Sequence, residues 1–85
     1  MNAMGVAQDK RLLAAQERAE TALAGRKISE FAALYLIFHN RGYTKAEFKV
    51  WLTQPCGYLH GMLPMRVWDE GDKDSMLETV ARIYG

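Results

Sequence analysis

The sequence predicts an all-α fold, a compact single domain of about five helices. Three observations carry that prediction. Apolar residues recur at helical spacing in each long segment. No run alternates apolar and polar residues as a half-buried strand would, and a lone strand has no partner to pair with. Glycine, proline and capping residues divide the chain into pieces of helix length. With 85 residues, 49% hydrophobic and 25% charged, the chain belongs among globular rather than disordered sequences and has room for one core.

Met1-Asn2-Ala3 reads as an added leader before a natural start at Met4, and Gly5 is expected to keep residues 1–7 loose. The domain is then residues 8–85. From Gln8 to Ala24 the chain is rich in strong helix formers, with Leu12, Ala15, Ala19, Ala22 and Leu23 on one narrow stripe and Lys10, Glu17 and Arg18 opposite. Gly25 is the expected stop. The segment Ile28–His39 is the most apolar, and Phe31 to Phe38 is apolar on every side. It is expected to form the central helix, with Phe31, Tyr35 and Phe38 supplying more apolar surface than one small core uses and so favouring a homo-oligomer.

Asn40-Arg41-Gly42 marks a turn, and Thr44 precedes Glu47 by the three residues of a capping box. The helix 45–53 should point Phe48, Trp51 and Leu52 inward, with Lys45 and Lys49 outward, until Pro55 and Gly57 end it. Pro64 suits the first turn of a short helix that Gly71 stops. Asp72 or Asp74 caps the last helix, whose expected buried stripe is Met76, Leu77, Val80, Ile83 and Tyr84.

Charge and cysteine use narrow the function. Net charge is +1, so no overall field draws the chain to nucleic acid. Residues 1–50 carry eight Lys/Arg against five Asp/Glu (+3), and residues 51–85 three against five (−2). No apolar run approaches the ~20 residues of a membrane span, and the N-terminus lacks a signal-peptide pattern. The single Cys56 cannot staple the fold, and a small cytoplasmic protein is expected. Cys56 with His60 supplies too few ligands for zinc, and the acidic run 69–74 lacks the closing glutamate of a calcium loop. Neither a phosphate loop nor a nucleophile motif occurs, so no catalytic residue, metal or cofactor is assigned.

One longer pattern remains. Trp51-Leu52, Pro55 in a turn, Leu59 and Gly61, Pro64 followed by Met65 and Val67, a gap, then Val80 and the ending Arg82-Ile83-Tyr84-Gly85 follow each other in order. This arrangement, within residues 45–85, resembles the C-terminal toxin-binding domain of Xre/MbcA/ParS-type antitoxins. Trp68 stands where the family usually has a smaller apolar residue, and the ending is one residue tighter. The resemblance implies a non-catalytic inhibitor of a RES-domain, NAD-consuming toxin. It also implies a partner-binding set of Pro64, Arg66, Trp68, Arg82, Ile83, Tyr84 and Gly85. Arg82 would bring a planar fork of donors, Tyr84 a rigid ring and Gly85 a terminal carboxylate to plug the toxin's site.

Two rival readings stand beside it. The chain could be a small interaction or scaffold protein of phage or plasmid origin, binding through Phe31, Tyr35 and Phe38. As a minor alternative, segments 28–39 and 45–53 could form a helix-turn-helix, with Arg41, Lys45, Lys49 and Gln54 toward DNA. The early stop at Pro55 and the inward Trp51 argue that any DNA binding is weak.

Overall fold

A computed structural model describes the backbone of residues 3–85 and the side chains from residue 11 onward, Leu12 excepted. Among the described residues the fold is all-α and built of five α-helices without a β-strand. The helices are α1 (Ala3–Leu23), α2 (Ala32–Asn40), α3 (Lys45–Leu52), α4 (Pro64–Glu70) and α5 (Lys73–Tyr84). Single 3-10 turns at Ile28–Phe31 and Gly57–Leu59 precede α2 and follow α3. Among the described residues no helix is long and apolar enough to cross a membrane.

Helix α1 begins at Ala3, so the helix takes in most of the stretch expected to be a loose leader; Met1 and Asn2 lie outside the described residues. One Gly5 among good helix formers costs only about 1 kcal/mol relative to alanine, too little to break a long helix. Ala19 and Leu23 are buried and Ala15 is half-buried, whereas the expected Ala22 is exposed; Leu12 lies outside the described side chains. The stripe packs α1 along α3, and Lys49 of α3 reaches Glu20 at 2.8 Å. Ala24 and Gly25 then both take positive φ, 52° and 83°, and turn the chain.

The central apolar segment is not one helix. The Glu30 carboxylate accepts from the Lys27 N–H at 3.1 Å and holds a 3-10 turn, and the backbone breaks at Phe31 (φ −121°, ψ 28°) before α2 starts. Phe31, Leu34 and Phe38 are buried at spacings of three and four, so they form the inward ridge. Gly42, at φ +89°, makes the turn to α3, where an L side chain would be strained. The Thr44 hydroxyl accepts from Glu47 N–H and the Glu47 carboxylate from Thr44 N–H, completing the expected box.

Pro64 opens α4, and at Gly71 an added Cβ would stand 2.9 Å from the Val67 carbonyl oxygen, so glycine lets the helix close there. Asp72 caps α5 by accepting from the N–H groups of Asp74 and Ser75. Met76 and Val80 are buried, Leu77 and Tyr84 half-buried. Ile83 departs from the expected stripe and is 48% exposed. It sits on the edge of the apolar arc, where the core leaves it partly open among the described residues.

Candidate functional site: an aromatic end beside the last turn of α5

The folded chain gathers aromatic rings from five segments at one end of the core. Tyr84 from α5 lies 4.5 Å from the Phe38 ring of α2, 6.1 Å edge-on from Trp51 of α3 and 6.2 Å from Tyr58. Tyr43, in the α2–α3 turn, meets Tyr84 edge-on at 6.0 Å and Phe38 at 5.3 Å. Phe48 and Tyr35 extend the cluster inward at 5.3 Å from one another. These tilted and edge-on pairs match the quadrupole preference of aromatic rings, which fixes their rotamers. The Trp51 indole N–H donates to the Tyr58 hydroxyl at 3.2 Å. Burial, followed by hydrogen bonding with Tyr84, pushes the Tyr58 hydroxyl above the usual tyrosine range, so it stays protonated.

Of the residues that the resemblance marks, the last turn of α5 presents three to solvent. Arg82 is 72% exposed and held only by Glu78 at 3.5 Å; Ile83 and Gly85 are exposed as well. Tyr84 is half-buried on the rings described above. Arg66 is exposed on α4, where its guanidinium donates to Glu70 at 2.9 Å.

Pro64 and Trp68 do not offer their side chains to a partner. Pro64 is fully buried. Trp68 is only 8% exposed, and its indole N–H donates to the Glu30 carbonyl at 3.2 Å. The reason is a polar clamp. Arg26 donates through Nε to Glu30 at 2.9 Å and through both terminal nitrogens to Asp69, tying the turn before α2 to α4. Lys73 lies over the Trp68 ring at 5.0 Å and donates to its carbonyl at 2.6 Å. Hydrogen bonding from Arg26 holds the Asp69 carboxyl below the usual range. Glu30 is lowered first by the Lys27 N–H and then by Arg26.

The self-association set is also redistributed. Phe31 and Phe38 are buried and cannot form an interface, and Tyr35 is half-buried between Phe48 and His39. The exposed apolar surface of this segment belongs to Leu36, 58% exposed, which borders an open groove of about 380 Å³ with Ile28, Ala32, Tyr35 and His39. A helix has 3.6 residues per turn, so a ridge at 31, 34 and 38 leaves 36 facing out.

Around the α2–α3 turn, Arg41, Lys45 and Gln54 are exposed, but Lys49 is spent on Glu20 and α1 lies along α3. Cys56 is buried, its N–H donating to the Met62 carbonyl at 3.1 Å, and His60 is exposed at φ 60°. Among the described residues no group of three or more His, Cys, Asp or Glu could hold a metal ion.

Sequence reasoning missed Tyr43, Tyr58 and Arg26. A tyrosine in a turn carries no periodicity, and Arg26 shows only its i,i+4 partner Glu30 in the sequence, because Asp69 arrives from 43 positions away. No family model, characterised protein or solved structure matches the chain.

Proposed function

We propose that the chain is an antitoxin-like inhibitor that binds a RES-domain, NAD-consuming toxin, catalyses no reaction itself and acts in the cytoplasm beside its target. The reading rests on the Trp51–Gly85 pattern. One observation supports it: Arg82 and Ile83 project from the same turn that seats Tyr84 against Trp51 and Tyr58. Trp, Tyr and Arg are the residues that most often carry binding energy in protein interfaces, and a turn anchored by rings is rigid before it binds. Arg82 is free to exchange a weak surface pair with Glu78 for a desolvated anion on the toxin.

The test is protection of cells that express a RES-domain toxin encoded beside this chain. Arg82→Ala alters an exposed side chain, so stability should move by no more than about 0.5 kcal/mol, whereas Ile83→Asp gives up a half-covered apolar side chain in the last turn of α5 and should cost about 1–2 kcal/mol, which a thermal melt checks. Both variants should lose protection, while Glu17→Ala protects as the parent does. Full protection by both variants refutes the reading. If Leu36→Asp alone abolishes protection, the binding surface is the α2 groove. Self-association belongs to the same proposal, through Leu36 and Ala32 rather than the buried Phe31 and Phe38. DNA binding, with net charge +1, is weak and non-specific.

A further inference from the structure

Arg82 and Ile83 carry the exposed chemistry of the last turn of α5, but it is Tyr84 that packs this turn against the core. Four rings lie around Tyr84. Three of them, Phe38, Trp51 and Tyr58, belong to the core or pack directly on it. The fourth is Tyr43, which is 38% exposed and stands outside that core. Tyr43 therefore bears on Tyr84 without itself holding the domain together.

Local structure fixes Tyr43 tightly for a residue in a turn. The Gly42 N–H donates to the His39 carbonyl and the Tyr43 N–H to the Phe38 carbonyl, both at 3.0 Å. With Gly42 at positive φ, these two bonds form the Schellman ending of a helix. Such an ending brings an apolar contact between the residue after the glycine and the last inward residue of the helix. Here that contact is Tyr43 on Phe38, with ring centres 5.3 Å apart. On its other side, Tyr43 adjoins Thr44 and the capping box of α3. The backbone is held from both directions, and the ring meets Tyr84 at 86°, an edge-to-face arrangement that aromatic quadrupoles favour.

We propose that Tyr43 is a positioning residue for the binding surface at the end of α5. Its ring holds Tyr84 in place, and through Tyr84 it keeps Arg82 and Ile83 in one ordered turn. That this surface binds a partner rests on the function proposed above; the holding contact does not. A turn that opens in the free protein must be ordered again on binding, so loss of the Tyr43 ring weakens binding even though Arg82 and Ile83 remain.

Amide hydrogen exchange on the isolated protein reads the contact directly. The amides of Ile83, Tyr84 and Gly85 should exchange by local opening of the last turn, and those of the buried Phe38 and Leu52 by global unfolding. Tyr43→Leu keeps an apolar side chain on Phe38, so the fold persists, but removes the ring edge that meets Tyr84. It should speed exchange at Ile83, Tyr84 and Gly85 about two- to tenfold, the equilibrium factor of one aromatic pair. Tyr43→Phe keeps the ring and should exchange as the parent does. Faster exchange at Phe38 and Leu52 with the last turn unchanged means a general loss of stability and overturns the proposal. Equal acceleration by Tyr43→Phe and Tyr43→Leu overturns it as well. In the cell-protection assay, Tyr43→Leu should protect less than the parent and Tyr43→Phe equally. Lost protection with unchanged exchange makes Tyr43 a direct contact, and faster exchange with full protection shows that order in the turn is not needed; either result refutes the positioning role. Failure of the toxin reading alone has a different signature: Arg82→Ala and Ile83→Asp protect fully while Tyr43→Leu still speeds exchange.

Discussion

Tyr84→Ala measures how firmly the last turn of α5 is tied to the core. The side chain is half-buried and faces the rings of Phe38, Tyr43, Trp51 and Tyr58. A buried aromatic side chain removes about 150–250 Å² from water, so Tyr84, buried over roughly two-thirds of its surface or more, loses about 100–200 Å², or about 2.5–5 kcal/mol at 25 cal/mol per Å². Ring-to-ring terms add about 0.5–1.5 kcal/mol each, but they are shared among four neighbours and do not sum. Relaxation of the last turn around the truncated side chain returns some of the loss. The expected destabilisation is about 2–3 kcal/mol, a Tm fall of roughly 10–20 °C for a domain of this size. Urea unfolding followed by circular dichroism checks it: the midpoint should drop with the slope unchanged. Tyr84→Phe keeps the ring and should cost about 1 kcal/mol or less. A Tyr84→Ala protein within about 0.5 kcal/mol of the parent would mean that the turn does not rest on the cluster, and the preorganised surface would fail with it. For the same reason, removing Tyr84 and Gly85 together is a poor test of partner binding, because the truncation also unpacks the aromatic end.

Val80 is fully buried, so Val80→Asp places an unpaired charge in the core and should cost about 3 kcal/mol or more; a melt like the parent's would contradict the packing of α5. Asp69, Glu30 and Asp72 have folded-state pKa values below their ordinary ones. Their contribution is therefore complete above the unfolded values near pH 4 and is lost as pH falls through the lower folded values. Arg26→Ala should remove the Asp69 share and part of the Glu30 share of this acid dependence of Tm while leaving that of Asp72, and an unchanged profile would show that the clamp contributes nothing to it. Ala24 holds a left-handed conformation at φ 52°, which costs an L residue about 1–2 kcal/mol. Ala24→Gly relieves that cost against a smaller loss of chain entropy and should raise stability by roughly 0.5 kcal/mol, readable as a small rise in Tm.

Local rules set most element boundaries. Thr44 with Glu47, Pro64 at the start of α4 and Asp72 before α5 each act within one helical turn, so their effect is legible in neighbouring residues. The all-α class follows from helical spacing, and Val80 and Phe48 fall in the core as their spacing implies. The segment 28–39 marks where this reasoning stops. Its residues are apolar on all sides, so composition does not distinguish Phe31, Leu34 and Phe38, which are buried, from Leu36, which is exposed.

Only tertiary structure settled that division, because burial depends on which neighbours arrive. Helices α3 and α5 pack on α2, and Leu36 lies on the face that they leave uncovered. Likewise, Pro64 and Trp68 satisfy a surface pattern on paper, but Arg26 and Lys73 draw α4 onto the core and bury them. Caps, stops and most helices are governed by interactions over three or four residues and are legible in the sequence, whereas the break at Phe31 is not. The aromatic end depends on contacts between segments dozens of residues apart, which no local spacing encodes.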